Sequence, residues 1–266
     1  MSDALDRDCL RYLEHWEPVL AGPARRALAR LGPAPTDLLD LGAGTGSLTL
    51  AALARWPSTR VRALDASAAM LAVARSRVPD HDRERVSWTV ADAADIPLDE
   101  ASTDAVVCAF ALQLVADRPA VLEEVRRVLR PGGAFAFVTW LADDLLLPAD
   151  AAYHDVLGDL ADDDEAGGFR SPRSGDYLSL AEARGELHDA GFEAVRVESD
   201  ELRYTWTAES YLAFKTDYDD HERIGSLEPA ERERLQADLL QRLATLPATD
   251  FEVSGPLVTG VARRPC

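Results

Sequence analysis

Asp37-Leu38-Leu39-Asp40-Leu41-Gly42-Ala43-Gly44-Thr45-Gly46 is the stretch on which the fold turns. Its apolar run, Leu38 to Leu41, reads as a strand buried within a parallel sheet. Glycines follow at alternating positions, Gly42, Gly44 and Gly46, and Ser47 to Leu53 then carries helical spacing. An open α/β sheet presents a nucleotide-like site in this order, at the carboxyl end of its first strand. Glycine permits positive φ and lets a ligand lie against the backbone. The helix start offers unpaired N–H groups and the positive end of a dipole. A plain tight loop would use the same residues. The spacing narrows the choice: G-x-G-x-G departs from the G-x-G-x-x-G of dinucleotide sites and lacks the lysine of a phosphate-binding loop. The turn suits a ligand without phosphates.

A chain of 266 residues has room for one large α/β domain with additions or for two small ones. Nearly half its residues are hydrophobic, yet no apolar run is long enough to span a membrane. The first residues, Met1 to Asp8, are charged and hold no apolar signal core, so export is not expected. Cys9, Cys108 and Cys266 are scattered without metal-ligand or redox spacing, which fits a reducing cytoplasm and no metal. A net charge of −19 speaks against nucleic acid or an anionic membrane as partner. Lys215 is the sole lysine among 28 basic residues, a skew that reports genome composition more readily than function. The acidity also fits adaptation to high salt.

Outward from the glycine turn, the N-terminal side reads as two helices. The first is an amphipathic segment from Leu5 to Trp16 ended by Pro18, and the second runs from Pro23 to Leu31. On the other side Arg60 to Leu64 is a second strand ending at Asp65. There a carboxylate can accept both hydroxyls of a ribose, or can serve the start of the next helix. Val86 to Val90 is a third strand leading to Asp92. A carboxylate there can accept from an exocyclic amine, with Ala91 and Ala93 leaving room for a flat ring. Ala105 to Phe110 is a fourth, fully apolar strand, which makes Cys108 a core residue and sets Gln113 near the ligand edge or in a turn. Pro119 to Arg130 is a helix stopped at Pro131-Gly132-Gly133, and Ala134 to Trp140 is a fifth strand. Ser179 to Ala190 is a helix and Phe192 to Glu198 a sixth strand. Residues 206–248 are a helical insertion, and the segment from Phe251 forms one strand or two joined by a turn. Between these elements residues 141–179 form an acidic insertion, either a lid beside the ligand edge or a solvated loop. No internal repeat and no independent second domain is present.

Four segments together resemble the class I S-adenosylmethionine-dependent methyltransferases. They are Asp40-Leu41-Gly42-Ala43-Gly44-Thr45-Gly46, Leu64-Asp65-Ala66-Ser67, Ala91-Asp92-Ala93 with Ile96-Pro97-Leu98, and Leu129-Arg130-Pro131-Gly132-Gly133. The resemblance covers roughly residues 35 to 140 and points to the branch acting on small molecules, such as ubiquinone/menaquinone biosynthesis and natural-product enzymes. It implies an α/β, Rossmann-like, doubly wound seven-stranded sheet. The sheet would be mostly parallel, with an antiparallel C-terminal strand set between the fifth and sixth. Residues 1–34 would cover the cofactor site and 35–266 would form the catalytic domain. The cofactor implied is S-adenosyl-L-methionine, leaving as S-adenosyl-L-homocysteine. The turn with Gly42, Ala43, Gly44 and Gly46 would hold its methionine part, Asp65 beside Ala66 the ribose, and Asp92 with Ala93 the adenine. Backbone near Ala109 and Phe110 would face the ammonium, and Tyr12 would cover the cofactor. The activity implied is methyl transfer by in-line displacement to an O, N or C nucleophile of a small molecule, by a cytoplasmic monomer or homodimer. Alternatives on the same scaffold are a cofactor-dependent cyclase or decarboxylase and a non-catalytic binding protein. His15 and His154 lie on segments that could reach the site, but no catalytic residue is assigned.

Overall fold

The structure, a computed structural model, describes residues 2–143, 145, 147–158 and 174–266, with side chains described from residue 7 onward. Seven strands form one sheet: β1 (Asp37–Leu41), β2 (Arg60–Asp65), β3 (Val86–Val90), β4 (Thr103–Ala109), β5 (Leu129–Trp140), β6 (Glu193–Thr205) and β7 (Glu252–Arg263). They lie in the order β3-β2-β1-β4-β5-β7-β6. Pairs from β3 through β5 are parallel, whereas β7 runs antiparallel to both β5 and β6. The seventh strand therefore enters between the fifth and sixth, and it is one continuous strand.

Residue size alternates along the central strands and decides what packs on each face. Leu39, Leu41, Val106, Cys108, Phe135 and Phe137 point into one buried cluster, with α5 (Arg118–Val128) and α7 (Leu180–Asp189) above them. Leu38, Ala105, Val107, Ala134 and Ala136 point to the opposite cluster. These mostly small side chains receive α2 (Glu17–Arg30) and α3 (Ser47–Arg55). A third cluster sits past the carboxyl ends of β4 and β5 and is rich in aromatic rings, among them Phe110, Trp140, Tyr153, Trp206, Tyr211 and Phe214. It joins α6 (Pro148–Leu157) to the helices between β6 and β7: α8 (Ala208–Phe214), α9 (His221–Gly225) and α10 (Pro229–Leu243).

β5 begins at Leu129, so Pro131-Gly132-Gly133 lies within the strand, and α5 ends at Val128, short of the expected Arg130. Two further boundaries differ from the sequence reading. Pro18 does not end the first helix, and no separate helix begins at Pro23. The chain is helical from α1 (Ser2–Arg11) through a π-helical turn, Tyr12–Trp16, into α2, with Pro23 inside it. The wide turn carries the bond from the Glu17 N–H back to the Tyr12 carbonyl. It thereby puts Pro18 in the first turn of α2, where a missing N–H removes no helical bond. The second difference is β6, which continues to Thr205 because β7 offers it a partner along its whole length.

Of the 141–179 insertion, Asp144, Leu146 and residues 159–173 lie outside the described residues. The described parts are packed. Tyr177 is fully buried, and its hydroxyl donates to Glu186 (3.0 Å) beneath the Arg118 guanidinium. Ala149, Ala152 and Tyr153 of α6 are buried as well.

Candidate functional site

Strand order reverses between β1 and β4, which leave the centre of the sheet in opposite directions, and such a switch point opens a crevice at the strands' carboxyl ends. Gly42, Gly44 and Gly46 line the turn above it with φ of 71°, 53° and 88°. Two of them are needed for close approach. A Cβ on Gly42 would lie 2.3 Å from the Ala111 Cβ, and one on Gly46 would lie 2.9 Å from that of Ala74. At Gly44 a Cβ would meet nothing within 4 Å, because this residue faces open space. Hydrogen bonds from Gly42 and Ala43 N–H to the Leu64 carbonyl (2.8 and 3.0 Å) tie the turn to β2.

Asp65 at the end of β2 reaches the same turn. Its Oδ2 accepts from Gly44 N–H and its Oδ1 from Ser67 N–H, both at 2.8 Å. Asp40 at the end of β1 is buried and accepts from the Thr49 hydroxyl at 2.6 Å, so a strand residue caps the first turn of α3. Burial pushes the Asp40 carboxyl up to about 7, an effect the Thr49 hydrogen bond opposes and the nearby Asp65 charge reinforces.

The N-terminal helices close the crevice from above. Arg77 of α4 (Ala68–Arg77) holds Glu17 through two bonds of 2.8 Å and donates to the Thr45 carbonyl at 2.6 Å. The Thr45 hydroxyl donates to the same Glu17 carboxylate. One arginine thus fixes α2 onto the glycine turn. Upstream, the π-helical turn directs Tyr12 and Trp16 downward. Burial raises the Tyr12 phenol pKa, and Tyr218, Glu17 and Asp65 push it the same way, so the hydroxyl keeps its proton.

These walls enclose a cavity of about 600 Å³, within the range of small-molecule sites. One part is lined by Gly42, Gly44, Asp65, Ser67, Met70 and Ala109. The other is lined by Trp16, Phe110, Gln113, Trp140, Phe214, Tyr218 and Asp219, with Tyr12 between the two groups in the chain's covering helix. A recess of about 50 Å³ adjoins it, with Ala43, Asp40, Glu17 and Thr45 in its wall. Phe110 has φ of 54°, and its carbonyl accepts from Gln113 Nε2 at 2.6 Å, while Thr139 donates to Gln113 Oε1 at 2.6 Å.

Seven of the eleven residues singled out in the sequence line these spaces: Tyr12, Gly42, Ala43, Gly44, Asp65, Ala109 and Phe110. Gly46 packs behind the turn against Ala74. Ala66 is exposed beside Asp65. Asp92 is exposed at the end of β3, its Oδ1 accepting from Ala94 N–H at 2.9 Å, and Ala93 packs at the margin of the core. Neither His15 nor His154 lines the cavity. Sequence reasoning missed Glu17, Trp16, Trp140, Phe214, Tyr218 and Asp219 as wall residues. Spacing places Phe214 and Tyr218 on one helical face but does not say what that face meets. Among the described residues no group of histidine, cysteine and carboxylate side chains could hold a metal ion. None of the described helices is long and apolar enough to cross a membrane.

Sheet order, glycine turn and strand-end carboxylates define a class I methyltransferase fold. In agreement, residues 38–133 match the family described as "Methyltransferase domain". Residues 38–133 thus carry a methyltransferase domain, and the chain is similar to class I S-adenosylmethionine-dependent methyltransferases of the branch acting on small molecules. It is 38% identical over 121 residues to a ubiquinone/menaquinone biosynthesis C-methyltransferase of Methylobacterium nodulans, covering 45% of this chain and 46% of that one. It is 33% identical over 174 residues to a malonyl-[acyl-carrier protein] O-methyltransferase of Geobacter sulfurreducens, covering 65% of this chain and 62% of the relative. The chain spans about half the length of the curated relatives it matches. Among solved structures, phosphoethanolamine N-methyltransferase 2 of Haemonchus contortus, in complex with phosphomonomethylethanolamine and S-adenosylhomocysteine, superposes with a TM-score of 0.59. That match is at 19% identity and covers 98% of this chain and 58% of that one.

Proposed function

We propose that this chain is an S-adenosyl-L-methionine-dependent methyltransferase that modifies a small molecule, releasing S-adenosyl-L-homocysteine. The observation that carries the reading is the open space over Gly44. A left-handed backbone there points its N–H at Asp65, and a Cβ on Gly44 would project into emptiness, as a cradle for a ligand requires. The residues fit the cofactor. The turn with Gly42, Ala43, Gly44 and Gly46 would take its methionine part, with the backbone at Ala109 and Phe110 facing the ammonium. Asp65, with Ala66 beside it, would take the ribose hydroxyls in place of the Gly44 and Ser67 N–H groups, and Asp92 with Ala93 the adenine. Bound there, the cofactor would supply a methyl group on a sulfonium sulfur, a carbon that is already electrophilic.

The chain's own contribution is then positional. Tyr12, protonated and buried, covers the cofactor, and residues 1–34 act as its cap. Arg77 and Glu17 keep that cap in place. Trp16, Trp140 and Phe214 keep water from the reacting centre and hold the acceptor within attack distance of the methyl group. We place the reaction in the cytoplasm, in a monomer or homodimer, with no nucleic-acid or membrane partner. Calorimetric titration with S-adenosyl-L-homocysteine and with NADH tests the reading. Saturable binding of the first and none of the second is expected, and the reverse result overturns the assignment.

A further inference from the structure

The half of the cavity farther from the glycine turn has a character that methyl transfer does not require. Three rings form a row there: Trp16 lies near-parallel to Tyr218 (centroids 6.4 Å apart, 11° between planes) and to Trp140 (6.5 Å, 24°). Phe214 closes the side at 5.7 Å from Trp16. Indole and phenol faces carry the negative part of the ring quadrupole and attract cations.

Beside the Gln113 amide, this wall carries a carboxylate with one oxygen tied down. Asp219 ends a π-helical turn, Lys215–Asp219, and its Oδ2 accepts from Lys215 Nζ at 2.5 Å. Lys215, the only lysine of the chain, is 4% exposed. It stands behind the wall, between Asp219, Asp150 (3.8 Å) and Asp220 (4.0 Å). Burial alone would lower the Lys215 pKa, but the attraction of Asp219, Asp150 and Asp220 outweighs it, and the net shift is upward. The ammonium is therefore anchored and already shared among three carboxylates. The Asp219 side chain lines the cavity and is 42% exposed, with its Oδ2 held by Lys215. The wall thus sets the Asp219 carboxylate among aromatic faces, with a second carboxylate, Asp8, also lining the cavity.

We propose that this half of the site selects a planar or aromatic amine as methyl acceptor. Its ring lies along Trp16, Trp140 and Tyr218, and an N–H of its nitrogen donates to Asp219. To accept the methyl group the nitrogen must be neutral, its lone pair bonding the methyl carbon as the carbon–sulfur bond breaks and S-adenosyl-L-homocysteine leaves. The proton then shed by the methylated nitrogen passes to Asp219 or to water. The inference rests on the methyltransferase reading above and adds the acceptor class and a specificity-determining residue. A carboxylate acceptor would meet Asp219 as a like charge, whereas an ammonium or amine N–H makes a charge-assisted bond to it.

The test uses the full chain saturated with S-adenosyl-L-homocysteine and two probes of nearly equal shape, 2-phenylethylamine and 3-phenylpropionate, titrated by calorimetry. The amine is expected to bind roughly tenfold tighter than the acid, the size of one charge-assisted bond. Asp219→Asn should bring the two within about twofold of each other while leaving affinity for S-adenosyl-L-homocysteine unchanged, which also shows that the variant is folded. Trp16→Leu should weaken both probes together. Equal or tighter binding of the acid, no binding of either probe, or an amine preference that survives Asp219→Asn overturns the proposal. Failure to bind S-adenosyl-L-homocysteine at all would instead overturn the methyltransferase reading itself.

Discussion

The two halves of the cavity are built by different means. The half at the glycine turn consists of strand ends. Gly42, Asp65 and Ala109 are set by β1, β2 and β4, whose parallel registers leave little freedom. The other half adds to the strand-end residues Phe110 and Trp140 two helical turns that lie outside the sheet: the π-helical turn Tyr12–Trp16 in front of it and Lys215–Asp219 after β6. Both π-turns direct aromatic residues at the same space, Trp16 from one and Tyr218 from the other. A wide turn inserts a residue into helical register and re-aims the side chains beyond it, which is one reason such turns collect at binding sites. On the reading proposed above, the sheet sets what the molecule holds and the added helices set what it acts on.

Damage to the sheet-built half should be the more severe. Gly42→Val adds a β-branched residue at positive φ whose Cβ would lie 2.3 Å from that of Ala111. Strain and overpacking together should cost roughly 3–5 kcal/mol, visible as a large loss of melting temperature. Gly44→Ala separates folding from binding, since its Cβ meets nothing within 4 Å. It should cost only about 1 kcal/mol of stability yet sharply weaken S-adenosyl-L-homocysteine binding. If the two variants lost equal stability, the picture of a packed turn open at one residue would be wrong.

A second contrast concerns protonation. Asp40 is fully buried beneath the turn, its carboxyl pushed up to about 7 from 3.8 by burial. Because the folded value lies above the unfolded one, the carboxyl's contribution is complete below about pH 4 and is lost as pH rises through about 7. Asp40→Asn keeps an acceptor for Thr49 but has no charge to bury. Relative to wild type it should gain on the order of 3 kcal/mol between pH 4 and pH 8. Denaturant unfolding at the two pH values measures this, and a pH-independent difference would show that Asp40 is not charged at a cost.

The seam between the halves is the Arg77 clamp. Arg77→Met leaves the Glu17 carboxylate largely buried without its partner, and should cost roughly 2–3 kcal/mol given the part-exposed arginine. Glu17→Met combined with Arg77→Met should recover most of that loss. If the single variant were silent, α2 would be held by its apolar face and by the Arg26–Asp200 and Arg30–Glu198 pairs without help from the clamp.

The sheet half was legible because each of its signals is local. Alternating glycines and a strand ending in Asp65 each fix a short stretch of backbone, and the alternation of strands and helices with short connections predicts a parallel sheet covered on both faces. The seventh strand was legible only through resemblance, since nothing in Phe251 to Ala262 states which strands it joins. The aromatic half was not legible for a physical reason. Trp16 and Trp140 are far apart in sequence and meet Phe214 and Tyr218 only once the helices fold over the sheet. A single sequence with spacing rules carries no record of that contact. The π-turn was equally hidden: Pro18 read as a stop because the usual helical register leaves its ring no space, and one inserted residue supplied it.

The smallest expected effect compares two carboxylates at adjacent strand ends. Asp65 sits inside the cavity and accepts from two backbone N–H groups of the turn and the helix start beyond it. Asp92 is exposed and closes its own turn through Ala94. If both contact the cofactor, they do so in different surroundings. The Asp65 bonds lie in a shielded space, where losing a carboxylate costs most, whereas an Asp92 bond competes with water. Asp65→Ala should therefore weaken S-adenosyl-L-homocysteine binding by more than tenfold, a loss above about 1.4 kcal/mol, with the fold retained. Asp92→Ala should weaken it only a few-fold, under about 1 kcal/mol. Calorimetry on the pair distinguishes a ribose held from within from an adenine held at the rim. Equal losses would mean that the two carboxylates share one environment when the ligand is bound. In that case the edge of the sheet at β3 would have to close over the adenine, so that Asp92 leaves the solvent it now faces.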